Sequence, residues 1–182
     1  MVEIRDGTGT GRKVGVTDEN RIKSESVTVT QGHHTNSSEL EAYHFVFQRT
    51  PISGGCCVAY IENENPVEMV IEGINIRAPN NQIVDVYLND VGTPNGSGYV
   101  PINVNAGAGQ EAQGVFQVGG CIGGLTRGNL ADRIYIAGGN TTTPFNFNMD
   151  IIVPQNQRFT LVCELSGVQL DGTIRFYYHD PN

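Results

Sequence analysis

Asp6-Gly7-Thr8-Gly9-Thr10-Gly11-Arg12-Lys13 has the composition of a loop that wraps a phosphate: glycines at alternate positions, then two cations. Such a loop works when a strand feeds the glycine turn and the turn opens a helix whose free N–H groups and dipole face the anion. Here Val14, Val16 and Ile22 are spread among Gly15, Thr17, Asp18 and Asn20, with no apolar recurrence at three and four residues. No Lys-Ser or Lys-Thr pair stands at the P-loop spacing either, so the expectation is an extended polar arm. The remaining chemical candidates are thin. His33 and His34 are adjacent and would splay apart on an extended chain, which disfavours a joint metal site. His44 and His179 read as ordinary strand or surface histidines. Ser97, in "NGSGY", lacks the Gly-x-Ser-x-Gly elbow that lifts a nucleophile above a sheet, and no Asp-x-Asp calcium loop occurs. Glu62, Glu64, Glu68 and Glu72 are expected to form a solvated face, with a glycosidase-like carboxylate pair as the catalytic alternative.

Four cysteines complete the inventory. Cys56 and Cys57 are neighbours and point to opposite faces of a strand, while Cys121 and Cys163 are distant, and none has zinc-site spacing. They read as small buried apolar residues in a fold that requires no metal or disulfide, with an oxidised Cys57–Cys163 or similar pair left open. Charged, glycine-rich first residues are unlike a signal peptide, so synthesis in a cytosol is expected; the sequons at Asn36, Asn95 and Asn140 then carry little meaning.

The elements that must position these residues are strands. In "FNFNMDIIV" Phe145, Phe147, Met149, Ile151 and Val153 alternate with mostly polar residues, the period of a half-buried strand. In "RFTLVCEL" Phe159, Leu161, Cys163 and Leu165 share a face, and after the Asp171-Gly172 turn signal Ile174, Phe176 and Tyr178 share another. Upstream lie "AYHFVFQR", "CCVAYIEN", "VEMVIEGINIR" and "IVDVYLND", separated by turn residues. In the third, Val67, Met69 and Ile71 keep one phase and Ile74 and Ile76 the other, which predicts a β-bulge or kink at Gly73. Shorter candidates are "YVPINV", "GVFQV" and "DRIYIAG"; Pro101 makes the first an edge or irregular strand. Glycine-rich stretches at 92–98, 105–114 and 119–128 are expected to be loops at the ends of the body, where binding would occur. Eight to ten short strands, 23 glycines and no helical periodicity predict an all-β fold, a β-sandwich of jelly-roll or related type preceded by an extended N-terminal arm. Phe145, Phe147, Met149, Ile151, Phe159, Leu161, Ile174 and Phe176 are the expected core of its last three strands.

Charge divides the chain. Residues 1–25 balance Arg5, Arg12, Lys13, Arg21 and Lys23 against Glu3, Asp6, Asp18, Glu19 and Glu25, and no lysine follows Lys23. The rest carries the whole net charge of −8. This predicts a separate arm, residues 1–30, and one acidic body, residues 31–182, long enough to bury a core. An acidic body repels polyanions, which argues against nucleic acid and anionic membrane surfaces as partners, and no stretch has the apolar length to span a bilayer.

The head "VEIRDGTGTGRKVGVTDENRIKSESVTVT" resembles an N-terminal segment of structural proteins of tailed bacteriophages, matched at Asp6, Gly7, Gly9, Gly11, Val16, Asn20, Arg21, Ile22 and Val27. The stretch "YLNDVGTPNGSGYVPINVNAGAGQEAQG" is similar to a loop-and-strand pattern of such virion proteins, and "VPQNQRFTLVCELSGVQLDGTIRFYYHD" resembles the final hairpins of viral jelly rolls. The resemblance implies a head decoration (cement) or head fibre protein: non-enzymatic, without cofactor, made in the host cytoplasm and placed on the capsid exterior. It implies contact with the major capsid protein through the arm, by Arg5, Asp6, Gly7, Gly9, Gly11, Arg12, Lys13, Asn20, Arg21 and Lys23. It also implies self-association, expected as a homotrimer around a capsid symmetry axis. The alternatives are a tail or neck fibre module, and a carbohydrate-binding sandwich with Tyr43, Tyr60, Tyr87 and Tyr99 as ring platforms, disfavoured by the absence of Trp.

Overall fold

The computed structural model describes residues 15–16, 22–23, 41–107 and 109–179. Every regular element among them is a strand. The chain divides into two units, residues 1–30 and residues 31–182. In the first, β1 (Gly15–Val16) and β2 (Ile22–Lys23) pair antiparallel, Gly15 opposite Lys23 and Val16 opposite Ile22. Among the described residues the first element after the glycines is a strand, whereas a phosphate loop opens a helix.

In the second unit the strands are β3 (Ala42–Arg49), β4 (Cys56–Asn63), β5 (Glu68–Arg77), β6 (Gln82–Leu88), β7 (Val91–Gly92), β8 (Ser97–Gly98) and β9 (Ile102–Asn103). They continue as β10 (Gly114–Ile122), β11 (Leu125–Thr126), β12 (Asn129–Ile136), β13 (Thr143–Val153), β14 (Arg158–Cys163) and β15 (Leu170–His179). Two large antiparallel sheets result, ordered β12-β6-β14-β4-β10-β8 and β13-β5-β15-β3-β9, and β11 and β7 form a third of two strands. The pairing has a simple logic. β6 pairs with β12, β5 with β13, β4 with β14 and β3 with β15, so the run β3 to β6 and the run β12 to β15 form one long antiparallel hairpin. Rolling that hairpin up places its successive strand pairs in alternate sheets, which is the jelly-roll arrangement. Residues 89–128, between β6 and β12, are an insertion that adds β10 beside β4 and β9 beside β3. Pro101 lies between β8 and β9, which are the outer strands of different sheets, as a residue without a backbone donor requires.

The inner faces meet in one cluster that draws Phe45, Ile61, Ile74, Val86, Phe116, Phe159 and Phe176 from both sheets. Across the gap Phe116 stacks on Phe176 with ring centroids 5.5 Å apart and meets Phe45 edge-on at 5.8 Å. The phase change at Gly73 is a bulge: Arg175 opposes Gly73 but Phe176 opposes Ile71, so Glu72 is the extra residue and Met69, Ile71, Ile74 and Ile76 all point inward. A second bulge at Val58 puts both Val58 and Ala59 into the core and turns Cys57 and Tyr60 to the other face.

One expectation about the core is corrected. Phe159, Leu161, Ile174 and Phe176 are buried, but Phe145, Phe147 and Ile151 are only partly so, and the side chain of Met149 lies outside the described part. The cause is register. On β13 the pairing with β5 jumps from Asn146–Gly73 to Ile151–Ile71, so the alternation of "FNFNMDIIV" is broken by unpaired residues on an outer strand.

Candidate functional site

The outer face of the six-stranded sheet is not bare. Register aligns three rows across it: Val115, Glu62 and Arg158; Gln117, Tyr60, Thr160 and Tyr87; and Ile122, Cys57, Val162, Asp85 and Arg133. The insertion closes over parts of these rows. β7 pairs with β11, and Ile122 and Leu125 pack with Cys57, Tyr60 and Val162 into a second small core. Two glycines permit this crossing. Gly92 has φ 129° and Gly124 φ 77°, and a Cβ on either would strike the backbone oxygen of Gly124 or Thr93. The glycine-rich stretches 92–98 and 119–128, expected at the ends of the sandwich, thus cover a sheet face.

Asp90 is the centre of the covered region. Its side chain is fully buried and accepts from Arg127 Nη1 at 2.9 Å, Thr160 Oγ1 at 3.0 Å and the Gly128 N–H at 2.8 Å. Arg158 donates to the Asp90 carbonyl at 2.8 Å and to Glu62 at 3.3 Å, and the Tyr60 hydroxyl donates to Glu62 at 2.6 Å. Arg127 also donates to the Gly55 carbonyl and lies 5.7 Å from the Tyr87 ring centre. Burial first, then the Glu62 carboxylate, raises the Tyr60 phenol above its ordinary value. Beside this cluster Arg133 clamps the buried Asp85 with two bonds of 2.6 Å. Every charged group here has a partner of opposite sign, so the arrangement fixes the insertion and the sheet to each other rather than presenting a reactive group.

Cysteine chemistry reinforces the same closure and corrects one expectation, that all four cysteines are small buried apolar residues without a disulfide. Cys56 and Cys121 form a disulfide, with Cα atoms 4.7 Å apart and a sequence separation of 65 residues. Cys57 and Cys163, the pair left open from the sequence, are free and buried, and burial pushes both thiols up to about 12. They are inert as nucleophiles. The disulfide also removes the cysteines as an argument for a reducing compartment.

On the five-stranded sheet the outer face is buried at the row Val70, Tyr177 and Ala42 and more exposed toward Val46, 39% exposed, and Arg77. Across β5, β15 and β3 the register aligns Arg77, Asp171 and Gln48, then Asn75, Thr173 and Val46, then Gly73, Arg175 and His44. Arg77 donates to Asp171 at 3.0 Å and Gln169 donates to the other Asp171 oxygen at 2.9 Å. Glu72, at the bulge, is half-buried and its carboxyl is raised, burial and Asp150 outweighing Arg175. His44 is lowered by burial and by Arg175. The Tyr177 hydroxyl, behind them, is pushed up to about 12 by burial, Asp150 and Glu72.

Of the arm residues expected to dock, Lys23 is in β2; Arg5, Asp6, Gly7, Gly9, Gly11, Arg12, Lys13, Asn20 and Arg21 lie outside the described residues, as do His33 and His34. Glu62 and Glu72 are on the outer faces of different sheets and do not form a carboxylate pair, nor is either part of a plain solvated face. Among the described residues no three His, Cys, Asp or Glu side chains converge to hold a metal. Of the ring platforms, Tyr43 and Tyr60 are buried, Tyr87 lies under Arg127, and Tyr99 packs 5.2 Å from Phe45. Sequence reasoning missed the Asp90 and Asp85 clusters because their partners are 37 to 70 residues away. No protein-family model, no curated protein and no solved structure matches this chain.

Proposed function

We propose that this protein is a structural virion protein of a tailed bacteriophage that decorates and stabilises the outside of the capsid, binding the major capsid protein through residues 1–30. The observation that carries the reading is the division of the chain. A charge-balanced unit of residues 1–30 precedes a second unit, residues 31–182, that forms a jelly roll around its own hydrophobic core. The arm has too few apolar residues to offset its own ordering entropy, so a partner surface supplies the missing burial. The body suits a role on the outside of a shell: an acidic exterior, one sheet face sealed by its own insertion, and a disulfide, a bond that persists away from a reducing cytosol. It acts without catalysis and self-associates, as a homotrimer.

The test is attachment. Full-length protein and a variant lacking residues 1–25 are mixed with capsids stripped of the protein and sedimented, with bound copies located by labelled micrographs. Full-length protein on the head and none of the truncated protein, still folded in solution, is the expected result. Equal decoration by both, or labelling confined to tail or neck, would overturn the reading.

A further inference from the structure

The outer face of the five-stranded sheet carries a groove of about 410 Å³, within the range of small-ligand sites. Its floor is the first two aligned rows of that face: Gln48, Asp171 and Arg77, with Val46, Thr173 and Asn75 beside them. We propose that this groove binds an uncharged, hydroxyl-rich ligand, a neutral oligosaccharide, a function independent of how the protein attaches to a shell.

The chemistry of the lining makes the choice. Among the described residues of the floor the charges cancel each other: Arg77 is 3.0 Å from Asp171, and the Asp171 carboxylate is also held by Gln169 at 2.9 Å and by Gln48. An anion would have to displace Asp171 from Arg77 on a body of charge −8, and a cation would have to displace Arg77 and Gln169. An apolar ligand finds one exposed aliphatic side chain on this floor, Val46, 39% exposed. What remains are amides and hydroxyls. Asn75 and Thr173 each offer a donor and an acceptor, and Gln48, whose side chain also bonds Asp171, offers its remaining amide groups, the pairing that sugar hydroxyls make; Val46 provides a small apolar patch for a sugar's C–H face.

An extended peptide fits less well. Peptides add to sheets by bonding a free strand edge, but the groove lies across the middle of the sheet. β5 is bonded on both sides by β13 and β15, and β15 by β5 and β3, so their backbones are engaged in the ladders. Over β5 and β15, which make up most of the floor, only side chains are available. The bulge at Glu72 marks the end of the electroneutral stretch, because the next row brings Arg175 and His44 with Glu72 beside them.

The experiment uses the isotopically labelled full chain and follows backbone amide resonances during titration. The probes are uncharged oligomers of glucose, galactose, mannose and N-acetylglucosamine, a sialylated oligosaccharide, inorganic sulfate and an uncharged Ala-Ser peptide. The expected result is saturable displacement of resonances from residues 46–48, 75–77 and 171–173 by at least one neutral oligosaccharide. The double substitution Gln48→Ala, Asn75→Ala should weaken that binding by about tenfold or more, a loss of about 1.4 kcal/mol or greater, with the rest of the spectrum unchanged. Neither side chain belongs to the hydrophobic core, so the variant tests the groove and not the fold. No saturable response to any neutral oligosaccharide would overturn the proposal, as would displacement elsewhere, binding insensitive to the double substitution, or a response to sulfate, the sialylated sugar or the peptide alone.

Discussion

Asp90 and Arg77 each take part in an ion pair, yet they predict opposite outcomes when cut. Asp90 is fully buried and accepts from Arg127, Thr160 and Gly128, so Asp90→Ala leaves three donors without an acceptor. The expected loss is about 3–5 kcal/mol in urea unfolding. Arg77 is half exposed, and Arg77→Ala should change stability by about 1 kcal/mol or less in the same measurement. The titratable pair at the Glu72 bulge gives a second prediction, with the sign set by the direction of each displacement. His44 lies below its ordinary 6.5 in the folded state, so the stability it contributes is present above 6.5 and is lost as pH falls through the folded value. Glu72 lies above its ordinary 4.5, so its contribution is present below 4.5 and is lost as pH rises through the folded value. Glu72→Gln should therefore raise the melting temperature at pH 7 and leave it unchanged at about pH 4. A gain at both pH values, or at neither, would contradict the assignment. None of these roles was visible in the sequence, where Asp90 is a polar residue after a strand and Glu72 one of four similar acids; what distinguishes them is a partner on another strand.

Strands were legible because alternation is a local property, and so was the bulge at Gly73, where the phase of the apolar residues visibly changes. "FNFNMDIIV" looked equally regular, but the unpaired residues between Asn146 and Ile151 are set by what β5 offers opposite, and no local pattern records that. The same difference orders two substitutions. Phe159→Ala, in a central strand at 0% exposure, should cost about 3–5 kcal/mol, and Phe147→Ala, partly buried on an outer strand, clearly less. Equal costs in chemical unfolding would mean that β13 packs as tightly as β14. The insertion yields the remaining prediction at this scale. Cys56–Cys121 closes a loop of 65 residues onto β4, so the paired Cys56→Ser, Cys121→Ser variant should lose about 2–4 kcal/mol. Amide hydrogen exchange should locate the loss: protection is expected to fall through residues 119–128 and 89–96 while β14 and β15 keep theirs. Uniform loss across both sheets would show that the disulfide supports the whole sandwich. Cysteine spacing did not announce this bond, because the strand that carries Cys121 reaches β4 only through the insertion.

At the scale of the molecule, electrostatics decides how copies meet. Arg77, Arg127, Arg133 and Arg158 are each engaged by a carboxylate of the same chain. These four pairs are internally neutral, so the net −8 of the sequence resides on the other charged groups of residues 31–182. Two such bodies repel at long range, so whatever holds the proposed homotrimer together must act at contact: apolar burial, or a strand edge such as the short β9. Apolar candidates are present near that edge, with Val100 67%, Ile102 57% and Val104 37% exposed. Repulsion is screened over a Debye length of about 10 Å at 0.1 M salt and about 3 Å at 1 M, whereas apolar contact is not weakened by salt. The trimer should therefore strengthen with ionic strength: sedimentation velocity from about 0.02 to 1 M sodium chloride is expected to shift single chains toward trimers. Ile102→Asp should abolish that shift without changing the unfolding midpoint, since the residue is exposed in the single chain. Trimers that dissociate as salt rises would mean that ion pairs between chains hold them, and single chains or pairs at every salt concentration would remove the homotrimer altogether.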